Sequence, residues 1–201
     1  MKKMMDQFRK PEGTLGKMTL RGMNKGHQPL TEWAFEQLQV SATTMILDVG
    51  CGGGAVLARL LTDFPKSEVY GVDYSAASVS VSKKVNAAQL DKRCFIRQAD
   101  VCKLPFSDQI FDLVTAFETI YFWSDLEQAF CEINRVLKKG GHFFICCESD
   151  GSNGETWDKK IAGMRYYSSD ELVQKLTANG FTEIKQYKND QGWLCLIGSK
   201  C

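Results

Sequence analysis

The chain reads as an α/β protein built on a mostly parallel sheet with one reversed strand. Three observations predict this. Five short apolar runs alternate with helical patterns between residues 45 and 147. Three of the first runs close on an acid, at Asp48, Asp73 and Asp100. After the last helical pattern, the apolar runs 181–187 and 193–198 flank the polar turn Lys188–Gly192, the form of an antiparallel hairpin. Strands that alternate with helices pair in parallel, and the hairpin supplies the reversal.

Taken in order, residues 1–28 are polar and rich in Met and Gly, and Gly13, Gly16, Gly22 and Gly26 limit helix there to a short piece around Lys17–Met23. Residues 30–38 place Leu30, Trp33, Ala34 and Leu38 on one face of an amphipathic helix. This leading segment, residues 1–40, either covers the sheet or forms lid helices over a ligand; residues 41–201 form the main domain. Strand one is Met45–Val49, followed by a helix over about Gly53–Asp63 that Pro65 ends. Strand two, Glu68–Val72, closes on Asp73, and Ser75 is a good N-cap for a helix over Ala76–Ala88. Strand three is Cys94–Ala99, strand four Ile110–Phe117. The next helix carries Leu126, Ala129, Phe130, Ile133, Val136 and Leu137 on one face, and Lys138-Lys139-Gly140-Gly141 reads as its basic, glycine-stopped end. Strand five is His142–Cys147. A polar loop over 149–166 with a short helix near Trp157–Met164 leads to a Ser168-capped helix over Asp170–Ala178, stopped at Asn179-Gly180.

Composition narrows the class. With 201 residues, 44% hydrophobic and 24% charged, the chain has the make-up of one ordinary globular domain. A net charge of +1 gives no global field for nucleic acid or a membrane surface. The N-terminal ten residues lack an apolar signal core and no run reaches membrane-spanning length, so cytoplasmic residence without a membrane span is expected. Eight cysteines then read as reduced thiols, and the absence of C-x-x-C spacing argues against zinc; no metal is expected.

The chemistry gathers on Met45-Ile46-Leu47-Asp48-Val49-Gly50-Cys51-Gly52-Gly53-Gly54. A short strand, a glycine turn and a helix start form a cradle for a nucleotide-like ligand. Gly50 and Gly52 let the backbone approach that ligand closely. Gly50-x-Gly52-x-x-Ala55 also satisfies the dinucleotide fingerprint, so the turn alone leaves the ligand open. The neighbouring acids decide more. Asp73 stands about 20 residues on, where a strand-two acid meets ribose hydroxyls. Asp100 lies one strand further along, where an adenine amino group would lie. Asp48 at the turn either faces an ammonium or orders the glycine backbone, and its charge disfavours a pyrophosphate.

These stretches resemble those of the class I S-adenosylmethionine-dependent methyltransferases, of the small-molecule group that includes ubiquinone- and menaquinone-biosynthesis enzymes (type 11). The resemblance is carried by Leu47–Gly54, Val69–Ser75, Gln98–Val101, Leu104–Asp112 and Glu132–Gly141, in order and at family spacing. It implies a Rossmann-like doubly wound sheet of seven strands, order 3-2-1-4-5-7-6, with strand 7 antiparallel. Carried over residue by residue, it places the methionine part of S-adenosyl-L-methionine on the Gly50–Gly54 turn and the ribose on Asp73. Tyr74 would pack beside adenine, Asp100 and Val101 would read its edge, and Phe117 would lie near the amino acid portion.

The acceptor side is read from Phe117-Glu118-Thr119-Ile120-Tyr121-Phe122-Trp123, at the sheet edge after strand four. Glu118 is the best acid/base or orienting group. Tyr121, Phe122 and Trp123 either wall an apolar or planar substrate or pack on the following helix. His27, one of two histidines, is a further candidate, as are Glu148, Tyr166 and Tyr167. Ala116-Phe117-Glu118-Thr119 departs from the Asn/Asp-Pro-Pro-Tyr of enzymes that methylate adenine or glutamine amides. A small-molecule acceptor is therefore expected, with no nucleic acid partner and a monomer or homodimer. A binding protein without turnover, and an NAD-linked oxidoreductase, are the rival classes.

Overall fold

The computed structural model describes residue 7 and residues 11–40, 44–151 and 157–201. Seven strands form one sheet in the order β3-β2-β1-β4-β5-β7-β6. In chain order they are β1 (Met45–Val49), β2 (Glu68–Asp73), β3 (Cys94–Gln98), β4 (Phe111–Phe117), β5 (Leu137–Cys147), β6 (Phe181–Lys188) and β7 (Leu194–Lys200). Strands β1 to β5 pair in parallel, and β7 runs antiparallel to both β5 and β6. The predicted sheet, its strand order and its one reversed strand are all observed.

Strand alternation divides the core. On β1, Leu47 and Val49 point to one face, which packs on α5 (Leu126–Val136) and α7 (Ser169–Ala178) through Phe130, Ile133, Leu172 and Leu176. Ile46 points to the other, toward α2 (Gln28–Gln37) and α3 (Ala55–Asp63), where Leu30, Ala34, Leu57 and Leu60 are buried. Asp48 shares that second face, which makes it a carboxylate among apolar neighbours. Both faces of the sheet are covered, as parallel sheets require.

Local signals explain most boundaries. The Ser75 hydroxyl accepts from Ser78 N–H to start α4 (Ala76–Val85), Asp125 accepts from Gln128 N–H to start α5, and Ser168 accepts from Glu171 N–H to start α7. Two expectations fail. Residues Gly13–Gly26 form one continuous helix, α1, rather than a short piece. Its glycines are tolerated because tertiary packing outweighs propensity: Leu20 is buried, and a Cβ on Gly16 would lie 2.7 Å from the Pro11 backbone. Residues 138–141 are likewise not a helix stop. Strand β5 already pairs at Leu137 with Phe111, and a register shift carries it to His142 opposite Leu113, with Gly140 at φ 71° inside the bulge. Lys138 meets Asp112 at 2.7 Å instead of capping α5. In the polar loop, α6 is a single turn, Trp157–Lys160, and residues 152–156 lie outside the described residues, as do 1–6 and 8–10. No helix among the described residues is long and apolar enough to cross a membrane.

Candidate active site

The C-terminal ends of β1, β2 and β4 open onto a cavity of about 560 Å³, within the range of small-molecule sites. Its floor is the turn after β1. Gly50 and Cys51 both donate their amides to Val72 O, at 2.8 and 3.0 Å, which clips the turn to the end of β2. Gly50 and Gly52 have φ of 75° and 49°, a region that side-chain-bearing residues avoid. At Gly50 the space is taken: a Cβ would lie 2.1 Å from Thr119 Oγ1. At Gly52 it is open, the nearest atom 3.9 Å away. A ligand can therefore approach the backbone at Gly52.

The three strand-end acids differ in environment. Asp73 is fixed by two backbone amides, Gly52 N–H on Oδ2 at 2.9 Å and Ser75 N–H on Oδ1 at 2.8 Å. Burial pushes its carboxyl up, and those amides oppose the rise. The Ser78 side chain also bonds to this carboxylate. Asp48 is 1% exposed and accepts from the Thr115 hydroxyl at 2.7 Å. Burial raises it to about 7, against that hydrogen bond and with a smaller push from Asp73. Asp100 is exposed at the rim, where Oδ1 accepts from Cys102 N–H at 2.9 Å and shapes the turn carrying Val101.

Opposite this side, the wall is built by the stretch after β4 and by the N-terminal helices. Phe117 stacks on Phe35 of α2 at 5.5 Å and 20°. Glu118 has φ 54°, uncommon for a non-glycine residue, and its amide donates to Cys146 O at 2.9 Å. Its Oε1 accepts from the Tyr121 hydroxyl at 3.1 Å and from the Glu148 amide. Phe122 and Trp123 line the cavity, the latter with its indole N–H on Thr119 Oγ1 at 3.2 Å. Leu20, Met23, His27 and Leu30 close it from α1 and α2. His27 sits at the junction of the two helices, its amide on Met23 O and its carbonyl accepting from Thr31. Burial lowers its pKa, against a smaller upward pull from Glu148, so the ring is neutral at pH 7.

Comparison with known proteins places this architecture. Residues 47–145 match the family described as a methyltransferase domain, type 11. The chain is 29% identical over 158 residues to a malonyl-[acyl-carrier protein] O-methyltransferase from Geobacter sulfurreducens, covering 73% of this chain and 58% of that protein. It is 33% identical over 121 residues to a demethylmenaquinone methyltransferase from Lactobacillus johnsonii, covering 59% of this chain and 50% of that one. Residues 47–145 thus carry a methyltransferase domain, of the class I S-adenosylmethionine-dependent kind. The chain spans about half the length of the curated relatives it matches. A methyltransferase solved in complex with the Haloferax volcanii Trm112 methyltransferase activator shares the fold with a TM-score of 0.81 at 21% identity, over 91% of this chain and 93% of that one.

Within this methyltransferase fold, Asp48, Gly50, Gly52, Asp73, Tyr74, Asp100, Val101, Phe117, Glu118 and His27 all border the cavity. Five candidates do not: Gly54, Tyr121, Glu148, Tyr166 and Tyr167. Gly54, at φ 81°, turns toward α4, where a Cβ would meet Ser82 Oγ at 2.5 Å and Asn86 Nδ2 at 2.7 Å; it seats one helix on another rather than a ligand. Tyr121 is 4% exposed and faces inward, its hydroxyl also 3.3 Å from Ser149 O. It positions Glu118 and does not reach the cavity. Tyr166 packs edge-on against Tyr121 at 5.7 Å, and Tyr167 lies buried under Arg165. Thr115, the partner of Asp48, escapes a reading of strand ends because it stands mid-strand. Leu20, Met23 and His27 follow helical spacing, a signal that the intervening glycines obscure.

Proposed function

We propose that this chain transfers the methyl group of S-adenosyl-L-methionine to a small-molecule acceptor. The observation that carries the reading is that one cavity joins the Gly50–Gly52 turn and the acids Asp48, Asp73 and Asp100 to a separate wall of His27, Glu118, Phe122 and Trp123. The residues present fit the donor. Gly52 leaves room for its backbone-hugging part, Asp73 presents two oriented oxygens to ribose hydroxyls, and Asp48 is a buried carboxylate that an ammonium would hold ionised. When bound, S-adenosyl-L-methionine supplies an electrophilic methyl on its sulfonium.

The chain's own residues then have three tasks. Asp73, with Asp100 and Val101, fixes the nucleoside end. Phe117, Phe122 and Trp123 exclude water and align an apolar or planar acceptor, the chief source of rate when the electrophile is intrinsically strong. Glu118, held by Tyr121 and the Glu148 amide, orients the acceptor or takes its proton. Helices α1 and α2 serve as the lid, since His27, Leu20 and Leu30 form its underside. The strand-four end Ala116-Phe117-Glu118-Thr119 and the net charge of +1 favour a small molecule over nucleic acid. All eight cysteines are unbridged, five of them buried, which suits the reducing cytoplasm, and we assign the active form as a monomer or homodimer.

The test is incubation of the purified chain with methyl-labelled donor and a metabolite pool. A small compound should take the label, and S-adenosylhomocysteine should raise the melting temperature. Label entering RNA or DNA instead, or stabilisation by NAD alone, overturns the reading.

A further inference from the structure

Three metal-ligating side chains from separate parts of the sequence converge at the acceptor side of the cavity. His27 lies between α1 and α2, Glu118 follows β4 and Glu148 follows β5. One donor atom from each lies within 4.8 Å of the other two. We propose that His27, Glu118 and Glu148 hold a divalent first-row transition-metal ion at this edge of the cavity.

The donor set fits such an ion. One imidazole with two carboxylates balances the charge of a dication. The mixture selects manganese or zinc over magnesium or calcium, which prefer oxygen alone. Around an ion with bonds of about 2.1 Å, tetrahedral donors stand roughly 3.4 Å apart. The three donors stand within 4.8 Å of one another, so an ion has to draw them inward, and the exposed Glu148 is the side chain with most freedom to follow. The supporting hydrogen bonds are also of the kind that orient ligands. Glu118 Oε1 accepts from the Tyr121 hydroxyl, and the Glu118 amide is tied to Cys146 O. His27 is fixed at the helix junction through Met23 O and Thr31.

His27 and Glu118 border the cavity, so the ion's remaining positions face the acceptor. It would fix an acceptor that offers an oxygen lone pair, an assignment that rests on the methyltransferase reading; binding of the ion itself does not.

The experiment uses the full chain, stripped with chelator and titrated with Mn²⁺ by electron paramagnetic resonance. One Mn²⁺ per chain should bind, and H27Q and E148Q should each weaken it at least tenfold. Co²⁺ should give ligand-field bands without thiolate charge transfer, which separates this site from the cysteines. Glu148 is exposed, so E148Q should melt like the parent and keep the comparison valid even if H27Q loosens the helix junction. No Mn²⁺ binding at millimolar metal, unchanged affinity in E148Q, or a thiolate band overturns the proposal. S-adenosylhomocysteine calorimetry on the same samples separates the two readings. Cofactor bound without Mn²⁺ removes the ion alone, whereas Mn²⁺ bound without cofactor removes the methyltransferase reading and leaves the ion.

Discussion

Asp48 on β1 and Asp73 at the end of β2 flank the glycine turn, one set among apolar side chains and the other held by two backbone amides, and each yields a prediction. Asp73 has both oxygens anchored by amides, so its loss removes an oriented pair of acceptors. A charged hydrogen bond contributes about 1.5–3 kcal/mol. Asp73→Ala should weaken S-adenosylhomocysteine binding by roughly tenfold or more in calorimetry, and an unchanged Kd would remove Asp73 from the ribose role. Asp48 is raised to about 7 by burial, well above its ordinary value of 3.8. The folded state therefore holds a proton that the unfolded chain has released, and stability falls as pH rises between about 4 and 7, then levels. A shift of that size corresponds to about 4 kcal/mol, an upper figure for so buried a group. Asp48→Asn keeps the Thr115 contact without the charge. Its urea midpoint should exceed that of the parent at pH 8 and lose most of the slope between pH 5 and 7, while cofactor binding weakens. Parallel pH profiles for parent and variant would contradict the assignment.

Among the elements, the most informative join is that of α3 to α4. Gly54 accepts from Asn86 Nδ2 at 3.0 Å and has no room for a methyl group against Ser82. Gly54→Ala combines left-handed backbone strain with overpacking, together about 3 kcal/mol. The urea midpoint should fall accordingly, yet the folded fraction should bind S-adenosylhomocysteine normally, because the residue lies off the cavity. A large loss of affinity at unchanged stability would return Gly54 to the ligand. The contrast shows what a sequence reading reaches. Strand boundaries such as Met45–Val49 and caps such as Ser75 and Ser168 are local matters of periodicity and hydrogen bonding, and they were legible. A turn glycine's purpose is not local: Gly50, Gly52 and Gly54 look alike in sequence, but one faces Thr119, one open space and one the neighbouring helix. Helix α1 was hidden for the same reason, since its four glycines are offset by packing that only the fold reveals. The motif Glu132–Arg135 is intelligible only in three dimensions. Arg135 donates to Leu104 O and Phe106 O at 3.1 and 2.8 Å, and Glu132 accepts from Leu104 N–H at 2.7 Å, so α5 clamps the turn before β4.

At the scale of the molecule, the lid role proposed for the N-terminal helices sets them apart from the sheet. The sheet is buried on both faces, and β4, β5 and β7 are laced by long ladders. Helix α1 has a thinner attachment. It rests on α4, and among its described side chains Leu20 is buried while Leu15 and Met18 are exposed; the preceding backbone is held by Ser75 Oγ donating to Pro11 O at 2.7 Å. Elements with little buried apolar surface open at low free energy, and lids are drawn from them. Leu20, Met23, His27 and Leu30 nonetheless form part of the cavity wall, so a ligand in the cavity adds contacts to a loosely held element. If the helices act as the proposed lid, ligand binding shifts them toward the arrangement seen here. Amide hydrogen exchange reads this directly. Exchange over residues 16–31 should be fast in the free chain relative to β4 and β5. It should slow several-fold with saturating S-adenosylhomocysteine, while Val114–Ile145 ladder amides stay unchanged. Equal exchange with and without ligand would make α1 and α2 a fixed cover on the sheet.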